Sequence, residues 1–204
     1  ALIYNGPVFQ WDGAPTNATN TRATIIPNAP TKSRHMIVST PDRHLVFFGT
    51  ETTVGDSSTQ DDMFIRFSDQ ESIDQTDSYT VTANNTAGTQ RLADGSRIMG
   101  AIKGRDAIYV WTDTALFLMQ FVGAPFTFSF QQVGTNCGLI GKNAAIEVNG
   151  SSYWMSENGF FTYDGQLRSM PCLVEDFVFD NLNTTARDLI NAGLNNLFGE
   201  ITWF

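Results

Sequence analysis

Four short apolar runs recur along the chain, and their spacing narrows the folds open to it. They are His44-Leu-Val-Phe-Phe-Gly-Thr50, Ala107-Ile-Tyr-Val-Trp-Thr-Asp113, Ser151-Ser-Tyr-Trp-Met-Ser-Glu157 and Phe198-Gly-Glu-Ile-Thr-Trp203. Each is rich in aromatic and β-branched residues, the types that suit a pleated, half-buried surface. Their starts lie 63, 44 and 47 residues apart. A four-stranded propeller blade takes about 40–50 residues, so the last two intervals are each one blade long. The longer first interval holds an acidic stretch over 51–77, read as an insertion in a solvated, self-repelling loop.

The surroundings of the runs repeat as well. Strand-like segments precede the second run (Arg97–Lys103) and the third (Asn143–Asn149), and Leu116–Val122 and Phe160–Tyr163 follow them. Asn158-Gly159 and Asp164-Gly165 read as tight hairpin turns, because both central positions tolerate positive φ. Phe126-Thr-Phe-Ser-Phe130 alternates and suits an outer strand with one buried face. Each unit therefore reads as four successive antiparallel strands. Such sheets bury both faces only against neighbouring sheets. The expected fold is all-β, a partial β-propeller of antiparallel four-stranded blades with one short inserted helix. That helix is placed at Asn183–Ile190, where Asn183 caps a helically spaced segment. A sandwich is the alternative, and the unequal intervals are its best argument. Residues 13–34, with Pro15, Pro27 and Pro30, read as a long surface loop carrying one short strand. Residues 1–204 are expected to form one propeller-like region cut from a longer chain, since Ala1–Tyr4 and Ile201–Phe204 both read as strand interiors.

Composition bears on function mainly by exclusion. Twelve Lys and Arg are scattered through a chain of formal net charge −9. Tight nucleic-acid binding needs a basic stripe, so DNA, RNA and anionic membranes are disfavoured as ligands. Apolar residues make up 42%, enough for a packed core. No run approaches the ~18 apolar residues of a membrane helix. Cys137 and Cys172 match no metal spacing and read as reduced thiols. With only His35 and His44 in the chain, both far from Cys137 in sequence, neither a Cys–His pair nor a zinc site is expected.

Three further segments invite a chemical reading. Gly134-Thr-Asn-Cys-Gly-Leu-Ile-Gly-Lys-Asn143 lacks both the first Gly and the Ser or Thr of a phosphate loop. It reads instead as a crossover between blades, with glycines supplying positive φ. The acidic residues Glu51, Asp56, Asp61, Asp62, Asp69, Glu71, Asp74 and Asp77 lack the spacing of a calcium loop. Trp11, Trp154 and Tyr163 are candidate sugar platforms, with core packing as the plainer use. No residue is assigned a catalytic, cofactor-binding or metal-binding role, no cofactor is expected, and the chain reads as a non-enzyme.

Several segments resemble virion structural proteins of tailed bacteriophages. They include Pro30-Thr-Lys-Ser-Arg-His-Met36, Arg43-His-Leu-Val-Phe-Phe-Gly49, Phe64-Ile-Arg-Phe-Ser-Asp-Gln70 and Val110-Trp-Thr-Asp-Thr-Ala-Leu116. Gln120-Phe-Val-Gly-Ala-Pro-Phe126 and Gly134-Thr-Asn-Cys-Gly-Leu-Ile-Gly141 share the likeness, which runs over about residues 30–204. The group is the tail hub, nozzle and packaged-DNA stabilisation proteins of short-tailed phages. The resemblance implies a β-propeller-like platform in a homo-oligomeric ring around the DNA exit channel. It implies other tail or portal-adaptor proteins as partners, DNA passing nearby without specific binding, no membrane, and a virion tail location after synthesis in the host cytoplasm. Acidic residues facing such a channel would keep DNA from sticking. A carbohydrate-binding host-recognition module of the virion is the alternative role.

Overall fold

The computed structural model describes residues 1–11, 13, 22–40 and 42–204. Pro15, in the loop expected over 13–34, lies outside the described residues. The chain divides into two compact units, one of residues 1–93 with 123–127 and one of 94–122 with 128–204.

The first unit opens with a two-stranded antiparallel sheet, β1 (Phe9–Gln10) and β2 (Thr24–Ile25). It continues with a four-stranded antiparallel sheet in chain order: β3 (His35–Val38), β4 (Leu45–Phe48), β5 (Phe64–Phe67) and β6 (Gly88–Arg91). All four residues of β4 are buried, so the sheet is covered on both faces. This is why Leu-Val-Phe-Phe reads as a continuous apolar run rather than an alternating one. Phe47 packs with Val8, Ile26, Ala29, Leu45 and Tyr79 in one cluster, its ring edge-on to that of Tyr79 at 5.6 Å.

The acidic stretch is not a self-repelling loop. It contains β5, and its carboxylates find partners outside the stretch. Arg34 holds Asp62 through two bonds of 2.7 and 2.8 Å, Arg91 reaches Asp61 at 2.7 Å, and Arg43 reaches Glu71 at 2.8 Å. Asp56 caps a short 3-10 turn, Ser57–Thr59. Arg66, in the middle of β5, is buried and ties the two connections flanking the strand. Its Nη1 donates to Tyr79 O at 2.7 Å, and its Nη2 to the carbonyls of Glu51 and Thr52 at 3.2 and 2.8 Å. Glu51 is also buried; it accepts from the N–H and hydroxyl of Thr31 and, at 2.7 Å, from the N–H of Gly55.

The second unit holds two more four-stranded antiparallel meanders. One comprises β7 (Ile98–Lys103), β8 (Ile108–Thr112), β9 (Ala115–Gly123) and β10 (Thr127–Thr135), with only the turn of its last hairpin assigned to the first unit. The other comprises β11 (Ala145–Val148), β12 (Ser151–Ser156), β13 (Gly159–Tyr163) and β14 (Leu167–Met170). After α1 (Glu175–Asp180) comes a two-stranded sheet, β15 (Ala192–Asn195) and β16 (Glu200–Trp203). The four recurring runs map onto β4, β8, β12 and β16, each the second strand of its sheet. The first strands stand in sequence: β7 beside β11, and β11 beside β15, where Ala192 N–H donates to Asn143 O at 2.9 Å. Between the two meanders, Trp111 and Trp154 meet edge-on at 5.3 Å, Trp154 stacks on Phe161 at 5.8 Å, and Trp154 Nε1 donates to Cys137 O at 2.8 Å.

Three local expectations are corrected. The segment read as one short helix is a 3-10 stretch, Thr184–Leu189, broken at Ala186, although Asn183 does cap it by accepting from Thr185 N–H. The α-helix of this region is α1, one and a half turns long and just upstream. Leu2 makes only an isolated bridge to Val8 and is not inside a strand. The glycines of the 134–141 connection also serve a different purpose. The left-handed residue there is Asn136, at φ 55°. Gly138 and Gly141 are needed for close approach: a Cβ would sit 2.1 Å from Asp113 O at Gly138 and 2.3 Å from Arg187 O at Gly141. Gly138→Ala must move backbone, not a pliant side chain. A loss of about 3 kcal/mol is expected, at the upper end of overpacking costs, and a urea titration would measure it.

Candidate functional site

A cluster of chemistry-bearing side chains lies in the first unit, at the entry to β4. His44 is fully buried, its Nδ1 2.8 Å from Asp42 Oδ2 and its Nε2 3.1 Å from Thr86 Oγ1. Ser39 donates to the other oxygen of Asp42 at 2.7 Å. A carboxylate, an imidazole and a half-buried hydroxyl in that order are the parts of a nucleophilic relay. The direction of the last bond decides against that chemistry. Thr86 donates its hydroxyl to Asp69 Oδ1 at 2.6 Å and accepts from Gln70 N–H at 2.9 Å. The hydroxyl proton is committed to a carboxylate and not to the imidazole, the reverse of what base activation requires.

The cluster has a clear structural effect instead. Burial pushes Asp69 up. The hydroxyl and N–H of Thr86, the N–H of Gln70 and nearby His44 outweigh that effect and hold the carboxyl below its ordinary range. A group lowered on folding stabilises the protein above its unfolded pKa, and the contribution is lost as pH falls through the folded value. The first unit is therefore expected to lose stability on acidification below about pH 4. Asp69→Asn should flatten that acid limb in denaturant titrations run across pH.

Cys137 is buried in the core of the second unit and is a free thiol, as is half-buried Cys172. Burial pushes the Cys137 thiol up to about 11, so almost no thiolate exists at neutral pH. Neither histidine belongs to its unit. Among the described residues, no group of three or more His, Cys, Asp or Glu is placed to hold a metal ion. No helix among them is long and apolar enough to cross a membrane.

The described residues of the second unit include two concavities of note. One, of about 320 Å³, is apolar, with Met155, Phe160, Ile190, Trp203 and Phe204 among its walls. The other, of about 180 Å³, is a polar cleft where the β7–β8, β11–β12 and β13–β14 turns come together. Arg105, Asp106, Tyr109, Gln120, Tyr163 and Asp164 line it. The rings of Tyr109 and Tyr163 meet edge-on at 5.6 Å. Burial, reinforced by the charges of Glu147 and Asp106, pushes the Tyr109 phenol up, so it stays a neutral donor.

Of the three aromatic residues singled out in the sequence, Tyr163 reaches this cleft, Trp154 is fully buried in the core, and Trp11 stands 66% exposed. Trp11 belongs to the first unit, Trp154 and Tyr163 to the second. Arg105, Tyr109 and Gln120 escaped sequence reasoning because each sits in an ordinary turn or strand; their proximity depends on how two sheets pack. Compared with known proteins, the chain matches no family model and no curated protein sequence.

Proposed function

We propose that this chain is a structural component of a bacteriophage tail, part of a ring around the DNA exit channel that docks neighbouring tail proteins. The observation that carries its architecture is the succession in the second unit. Two complete four-stranded meanders and a two-stranded sheet follow one another, with first strands β7, β11 and β15 side by side. That is how consecutive blades line the axis of a β-propeller, and we read the chain as part of one. The tail role rests on the likeness of segments such as Phe64–Gln70 and Val110–Leu116 to phage tail hub and nozzle proteins. Net charge −9 suits a channel wall past which DNA slides. The role is non-catalytic, consistent with the committed Thr86 hydroxyl and the high thiol pKa of Cys137. A ring requires heterologous interfaces, one patch of a subunit meeting a different patch of the next. Native mass spectrometry of the protein with its tail partners tests this. Closed multimers incorporated into particles are expected; a strict monomer that never joins a particle would refute it.

A further inference from the structure

We propose that the polar cleft of the second unit binds one neutral hexose ring, as the exposed terminal unit of a glycan. The inference goes beyond the ring reading and does not depend on it. Several polar side chains around the cleft are left open to a ligand. Arg105, Asp106, Tyr109, Tyr163 and Gln120 all line the cleft, bringing a guanidinium, a carboxylate, two phenols and an amide to one place. Among the described residues, none of the five has a side-chain hydrogen bond or ion pair. Asp164 adds a carboxylate already engaged with Arg168 at 3.1 Å. Donors and acceptors stand together, as vicinal sugar hydroxyls require, because each hydroxyl both gives and receives.

Two glycines keep the cleft open. A Cβ at Gly104 would lie 2.3 Å from Cζ of Tyr109, and one at Gly150 would lie 2.3 Å from Nη2 of Arg105. The lack of a Cβ at these positions lets the phenol and the guanidinium pack close against backbone. Ala107 and Leu118 contribute the apolar part of the lining, and the Tyr163 ring offers a face for sugar C–H groups. At about 180 Å³ the cleft is smaller than the ~300–1,000 Å³ of drug and cofactor sites, which limits it to a single ring.

Charge selects the class of ligand. Arg105, Asp106 and Asp164 line the cleft, and Glu147 and Arg105 are close enough to act on Tyr109 in opposite senses. The Asp164 carboxylate is offset by Arg168, so the charges around the cleft nearly balance and offer an anion no net attraction. A neutral ring can use both signs.

The test is ligand-observed NMR on the whole chain with free glucose, galactose, mannose, N-acetylglucosamine and, as the anionic probe, glucuronic acid. At least one neutral sugar should bind with Kd of about 1 mM, the weak range proper to a single ring. Arg105→Ala and Gln120→Ala alter exposed side chains and should each weaken binding about tenfold. Thermal unfolding should stay unchanged. Tyr163→Phe removes only the hydroxyl, keeps the ring packing, and should weaken binding too. No binding by any neutral sugar, binding indifferent to all three substitutions, or glucuronic acid binding as tightly as the neutral sugars would each overturn the proposal.

Discussion

Arg66→Ala should destabilise the first unit by about 3–5 kcal/mol, the range for removing one partner from a buried, charged network. Arg66 is 4% exposed, and its guanidinium satisfies three backbone carbonyls, those of Glu51, Thr52 and Tyr79. These carbonyls belong to the connections before and after β5, so one side chain fastens both. Burial pushes the guanidinium below its ordinary value, with Glu51 acting against the shift, and it remains charged at any working pH. Truncation leaves three acceptors unsatisfied and removes the positive charge facing the buried carboxylate of Glu51. Lysine should not rescue the loss, because a point-like ammonium cannot span carbonyls arranged for a planar fork. The Nε of Arg66 is buried with no partner among the described residues, and the ring of Phe64 lies 5.6 Å from the guanidinium carbon. Guanidinium chloride titration of the variant against the parent chain measures the effect.

Trp154→Ala should be comparably damaging in the second unit, again by about 3–5 kcal/mol, the usual cost of deleting a buried Trp. The indole is 0% exposed and fills the space between the two meanders, against Trp111 on one sheet and Phe161 on its own. It also satisfies Cys137 O, which would be left orphaned. For a unit of about a hundred residues each kcal/mol is worth ~4–8 °C, so the melting temperature should fall by about 15 °C or more. Trp11→Ala, at a site 66% exposed, should change it little. Differential scanning calorimetry of the two variants separates a core role for Trp154 from a surface role for Trp11.

These residues also show what could be read in advance. Runs such as Leu45–Phe48 and Ile108–Thr112 are buried on both faces, so their apolar continuity marked them as central strands without any knowledge of partners. β5 was hidden because a four-residue strand with Arg66 at its centre and acids on both sides resembles a solvated loop. Only long-range carbonyls reveal that the arginine is inside. α1 was missed because Glu175–Asp180 is short and lacks a side-chain cap, and the packing of Val178 and Phe179 against the core spans too few turns to show a period. The 134–141 glycines were recognised as a connection, but their reason lies in carbonyls at 113 and 187, which no local pattern encodes. The cleft was legible only through Tyr163, because its other groups come from separate turns and strands.

A density map of the assembled tail particle tests the central claim most directly. The account predicts that this chain occupies a ring around the DNA channel, with its four-stranded sheets arranged radially and β7, β11 and β15 nearest the blade axis. It predicts a channel-facing surface richer in Asp and Glu than in Lys and Arg. A particle without the chain, sheets stacked as a two-layer sandwich, or a lumen lined mainly by Lys and Arg would contradict it.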